Sequence, residues 1–220
     1  MKLALVITVA VIAFVVWAPS PDSMASDGHS ISSVNGSVRA AAGQTYDSVS
    51  TVNGDVRVGS GATVDNARAV NGDVEIEQNA RVGEANTVNG GLRVGEDAAI
   101  EREASTVNGS IRLAKRARVG GDVHTVSGEI ELEGAEVVGN LSTHNGDIEL
   151  SDGAHVRGGI VVKKNNRESK WGWSENRPPK VRICSTCVVD GELRFERPVA
   201  LEVESGGKIG KVVGETVSSR

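Results

Sequence analysis

Cys184 and Cys187 are the only two cysteines in the chain and stand as Cys-x-x-Cys. That spacing supports thiol–disulfide exchange where it opens a helix in a βαβ unit, and no such unit surrounds it here. A structural zinc site would need two more ligands at finger spacing, which are absent from the sequence. The pair is expected to be a disulfide across a corner, or two buried thiols. Trp171 and Trp173 stand one residue apart among Lys, Arg, Glu and Asn. Two such rings could stack on a sugar or anchor a protein partner, or one could simply pack back and pin its own segment. His29, His124, His144 and His155 show no ligand spacing, and the carboxylates read as solvated faces. Asn-Gly-Asp recurs at 53–55, 71–73 and 145–147, whereas the calcium-binding nonapeptide needs its glycine-aspartate turn twice per coil. The residues therefore point to no catalytic group, no metal and no cofactor.

What places these residues is a repeat. Asn35, Asn53, Asn71, Asn89, Asn108, Ser127 and Asn145 fall in one column, each followed by Gly, at steps of eighteen or nineteen residues. A constant step of this size is one structural unit per step. Rungs begin at the apolar residues Ile31, Val49, Ala67, Ala85, Ala104, Val123, Leu141 and Ile160. Pairs such as Val56 and Val58, Val74 and Ile76, and Leu92 and Val94 enclose Arg57, Glu75 and Arg93, which is strand alternation with charge outward. Apolar residues every six positions, among them Val34, Ala40, Tyr46, Val52, Val58, Val64 and Val70, suggest three sides per rung, with all three lining the core.

These features predict an all-β, single-stranded parallel β-helix of about eighteen residues per rung and about nine rungs, a rod about 43 Å long at 4.8 Å per rung. Asn-Gly also suits a hairpin. Hairpins do not keep three apolar columns in phase over seven turns, and stacked rungs do. The Asn-Gly column is assigned to a corner, since both residues tolerate positive φ, with Asn35, Asn53, Asn71, Asn89, Asn108 and Asn145 as a structural amide ladder. His144 falls in the apolar column of Val34 and Val52, as a corner histidine bonded to backbone. The one-residue expansions after Ile100, Val119 and Val156 are expected to bulge at corners.

Residues 1–25 read as a signal peptide: Lys2, an apolar run from Leu3 to Ala18, and small residues Ser23 and Ala25 before a cleavage point at Ser26. Sixteen apolar residues reach only about 24 Å as a helix, short of a hydrocarbon core, so no stable transmembrane anchor is expected after cleavage. Residues 26–30 lead into a repeat domain at 31–214. Within it, 165–180 is an inserted corner loop carrying the two tryptophans, with Val181 and Ile183 resuming the roles of Ile148 and Leu150. The last rung and cap occupy 192–214, where Arg197 and Pro198 replace the usual corner, and 215–220 is a polar tail. Cys187 occupies the column of Ala62, Ala80, Ala98, Ala117 and Ala154.

Aromatic residues make up 3% of the chain against 27 glycines, which suits a narrow aliphatic core. The net charge is −5 with both signs interleaved, so the chain lacks the basic footprint of a nucleic-acid binder. VGSGAT at 58–63 resembles the hexad of left-handed β-helix acyltransferases, but the small residue moves one place in VDNARA at 64–69. The segments VNGDVRVGSGATV and VNGDVEIEQNARV resemble the bactofilin, or polymer-forming cytoskeletal, proteins and the related adhesin-like β-strand repeat families. The resemblance spans about residues 31–210 and implies a right-handed β-helix without catalytic residues that assembles end to end. The expectation is a non-enzymatic exported β-solenoid with a structural, self-assembling or adhesive role at the envelope, in the periplasm or secreted, partnered by itself or by an envelope protein or glycan. The alternatives are a glycan- or protein-binding module using Trp171 and Trp173, and a hexapeptide-type acyltransferase.

Overall fold

The computed structural model describes residues 29–164 and 177–217. The leader, Trp171 and Trp173 lie outside the described residues. Among these residues the chain forms strands and no helix, and successive strands pair in parallel about eighteen residues apart, giving a β-solenoid of about ten turns. The turn beyond the expected nine is made by Val212–Val217, which pairs along Leu193–Val203 and carries the coil into residues assigned to the polar tail.

Each turn has three sides. The first holds segments ending at the Asn-Gly corner, as in Thr45–Asn53 and Ala104–Asn108. The second holds short strands such as Val56–Val58 and Ile111–Leu113, and the third holds pairs such as Ala99–Ile100 and Arg118–Val119. Parallel stacking at fixed register turns each sequence column into a file along the rod. Val56, Val74, Leu92, Ile111, Ile130, Ile148 and Val181 are successive Cα partners, and all are buried. Val58, Ile76, Val94, Leu113, Leu132, Leu150 and Ile183 form the companion file two residues on. Burying side chains of this size stabilises the coil by roughly 1.5–3 kcal/mol each, so the files are its main cohesive element. Ala62, Ala80, Ala98, Ala117, Ala135, Ala154 and Cys187 fill the narrow corner between the second and third sides and are also buried.

The insertion leaves the second side intact: Ile148 faces Val181 and Leu150 faces Ile183 across it. Its C-terminal boundary is shorter than expected, because Lys180 already belongs to the strand Lys180–Ile183. The one-residue expansions divide the long strands. Thr63–Asn71 and Arg81–Asn89 run unbroken over the corner between the third side and the first side of the next turn, whereas bends at Glu101–Arg102, Gly120–Gly121 and Arg157–Gly158 separate those two sides in later turns.

Candidate functional site: the Asn-Gly corner and the base of the insertion

Five of the six ladder asparagines come together. Each amide Nδ2 donates to the Oδ1 of the preceding turn: Asn53 to Asn35 at 3.1 Å, Asn71 to Asn53 at 2.9 Å, Asn89 to Asn71 at 2.9 Å and Asn108 to Asn89 at 3.0 Å. The positive φ expected of Asn-Gly is found at the glycines Gly36, Gly54, Gly72 and Gly128, at +111°, +143°, +159° and +147°, and not at the asparagines. Among the described residues the non-glycine positions with positive φ are Asn79, Asp97, Arg116 and Asp152, at the corner between the second and third sides, ahead of the alanine file. The glycines of the Asn-Gly column are needed for close stacking. A Cβ on Gly109 would sit 1.9 Å from the Gly90 carbonyl oxygen, and one on Gly146 would sit 1.6 Å from that of Gly128.

The core column beside this corner also differs. Val34 and Val107 are 57% and 41% exposed, and Val52, Val70, Val88 and Val126 are only half-buried. The inward residues are Thr51, Ala69, Thr87, Thr106, Thr125 and Thr143. Alternation from Val49 or Ala104 requires this, because the second residue along points the same way. A threonine is tolerated there because its hydroxyl has a partner. Thr51 donates to Gly36 O at 2.9 Å, Thr87 to Gly72 O at 2.9 Å, Thr106 to Gly90 O at 2.9 Å and Thr125 to Gly109 O at 3.1 Å. His144, in the outward valine column, is therefore half-buried rather than in the core. Burial, followed by the charge of Lys163, lowers its pKa below the usual histidine value.

The ladder ends at Ser127, and three departures meet in the next turn. Asn145 leaves the ladder: its Oδ1 accepts from Arg197 Nη1 at 2.9 Å, and the same nitrogen donates to the His144 carbonyl at 3.1 Å. The Thr143 hydroxyl is buried with no hydrogen-bond partner. Strand pairing between Val123–Ser127 and Leu141–Thr143 is reduced to Val123 with Leu141 and His124 with Ser142. Beside this corner lies a cleft of about 460 Å³, lined by residues including Glu129, Asn145, Gly146, Pro178, Pro179 and Arg197. Arg177, where the described chain resumes after the insertion, pairs with Asp147. Asp147 Oδ1 also accepts from the Lys180 amide at 2.8 Å.

Carboxylates on this flank mostly have cationic partners: Glu131 with Arg112 at 2.9 Å and Glu149 with Arg182 at 3.0 Å. Glu129 has no ion pair among the described residues. Burial, then the charges of Glu131, Glu149 and Asp147, raise its pKa above the usual carboxyl value. Glu129 did not stand out in the sequence, since it shares a column with Asp55, Asp73 and Asp147, whereas Arg197 is the residue that replaces asparagine at the last corner.

Cys184 and Cys187 form a disulfide with a Cα separation of 5.1 Å, Cys187 being fully buried in the alanine file. Among the described residues no group of three or more His, Cys, Asp or Glu is placed to hold a metal ion. Elsewhere the exterior is cross-braced between turns, as by Arg57 with Glu75 and Arg116 with Asp97 at 2.7 Å. No protein family, curated protein or solved structure matches the chain.

Proposed function

We propose that the chain is a non-enzymatic, exported β-solenoid with a structural, self-assembling or adhesive role at the cell envelope. The observation that carries this reading is how its exterior polar side chains are used. The asparagines bond amide to amide between turns, and the arginines of the second side bridge carboxylates of adjacent turns, as Arg182 does with Glu149 and Glu202. Groups committed to holding one turn on the next serve rigidity along the axis. The disulfide supports export, because such bonds persist in oxidising compartments.

Self-assembly is supported by the two ends. Among the described residues His29–Asn35 pairs only with Thr45–Asn53, and Val212–Val217 pairs only with Leu193–Val203, so each presents one free parallel edge. Such edges are templates for adding another strand. The resemblance of the repeat to bactofilin-type sequences agrees with this reading. Sedimentation of the purified protein across concentration and salt, with electron microscopy of the same samples, tests it. Growth into rods or filaments is expected, and a monomer under every condition would remove self-assembly from the proposal.

A further inference from the structure

The cleft at the remodelled corner presents two opposite charges that have no counter-charge among the described residues. Glu129 is half-buried and has no ion-pair partner among the described residues, although its neighbours Glu131, Asp147 and Glu149 are each paired with arginine. Arg197, also half-buried, spends Nη1 on two neutral oxygens, His144 O and Asn145 Oδ1, and has no carboxylate partner among the described residues. The two do not pair with each other, yet they line the same cleft of about 460 Å³. Pro178 and Pro179 supply apolar surface in that lining. A charge withdrawn from water without a counter-charge costs free energy, so a fold that keeps one of each sign in a single cleft is complementary to a molecule carrying both.

We propose that this cleft binds a zwitterionic ligand of the amino-acid or short-peptide class, its ammonium group on Glu129, its carboxylate on Arg197 and its carbon skeleton against Pro178 and Pro179. Charge-assisted hydrogen bonds at both ends would supply affinity, and the fixed position of Arg197 on Asn145 would set orientation. The elevated pKa of Glu129 agrees with a site that awaits a cation: the carboxylate is disfavoured by its surroundings until a positive group arrives. Asn145 is a positioning residue here, since it acts by holding the guanidinium. The inference does not depend on self-assembly, and a protein that stays monomeric would bind equally well.

The test uses full-length protein, expressed with its leader and purified as the cell processes it, titrated at pH 7 and followed by backbone amide NMR. The ligands are alanine and trialanine, which differ in the spacing of their charges, with N-acetylated and C-amidated trialanine as controls. Saturable shifts at Glu129, Gly146 and Arg197 with at least one of the two zwitterions are expected. Blocking either terminus, or making Glu129→Gln, should weaken binding about tenfold or more. Arg197→Lys should retain part of the affinity, because it keeps the charge and loses the fork. Absence of saturable shifts with both zwitterions would overturn the proposal. So would equal binding of the blocked peptides, or unchanged binding in a folded Glu129→Gln protein.

Discussion

Arg197 Nη1 donates to the Oδ1 of Asn145 at 2.9 Å, joining residues two turns apart along the rod. The amide file running from Asn35 to Asn108 ends at Ser127, and this contact gives the asparagine of the following corner a different partner, tying a late turn of the coil to the corner beneath the insertion. Structural repetition stops being uniform at this point, and the consequences for stability can be measured residue by residue.

Thr106 and Thr143 share a column but not a bonding state. Thr106→Val should destabilise the protein by about 1–2 kcal/mol, because it removes a buried bond to the Gly90 carbonyl. Thr143→Val should be neutral or stabilising, since the hydroxyl it removes is buried without a partner. Chemical denaturation of both variants checks the contrast, and equal losses would mean that the Thr106 bond contributes nothing.

Glycines fall into two classes with different causes. Gly109→Ala should cost well over 2 kcal/mol or prevent folding, because its Cβ would lie 1.9 Å from the Gly90 carbonyl oxygen. Gly61→Ala meets nothing within 4 Å and carries only the penalty of its φ of +67°, about 1–2 kcal/mol. Thermal melts of the two variants separate stacking from backbone conformation.

Glu129 should lower stability at neutral pH. Its pKa in the fold is raised above the ordinary value of 4.5, so its carboxyl favours folding below that value and the benefit is lost as pH rises through the raised pKa. Glu129→Gln should therefore melt higher than the parent at pH 7, with the difference closing below about pH 4.5. An unchanged or lower melting temperature at pH 7 would contradict the electrostatic description of the cleft.

The disulfide closes a very short loop, for which the chain-entropy model gives about 2 kcal/mol. Replacing Cys184 by Ser and Cys187 by Ala should leave a folded coil, since alanine already fills that file in six earlier turns from Ala62 to Ala154. Hydrogen exchange should accelerate mainly around 184–209. Collapse of the whole coil would show that the bond does more than fasten one corner.

Much of the architecture was legible in the sequence because parallel stacking makes every inward position repeat. Val56 with Val58, the alanine column and the substitution of Cys187 for alanine all reported burial correctly. The valine column was misleading because hydrophobicity alone favours Val52 over Thr51. The two-residue period from Val49 selects Thr51, and the hydroxyl bond to Gly36 makes its burial tolerable. Asn-Gly predicts positive φ, which holds at Gly36, Gly54, Gly72 and Gly128 but at none of the ladder asparagines, and the close approach of successive backbones selects the glycine as well. The cleft was not legible: Glu129 matters for the partner it lacks, and Arg197 for an amide that folding brings to it. Neither condition leaves a pattern along the chain.

The most direct test of the scaffold reading compares sedimentation and electron microscopy of the parent protein with a variant carrying Ser32→Lys and Ser37→Lys. These substitutions put charge beside the free edge of the first described turn. The parent should grow with concentration into rods or filaments, while the variant, folded by its melting curve, should remain monomeric. A parent monomeric at every concentration and salt tested, or a variant that assembles equally well, would contradict assembly through that edge.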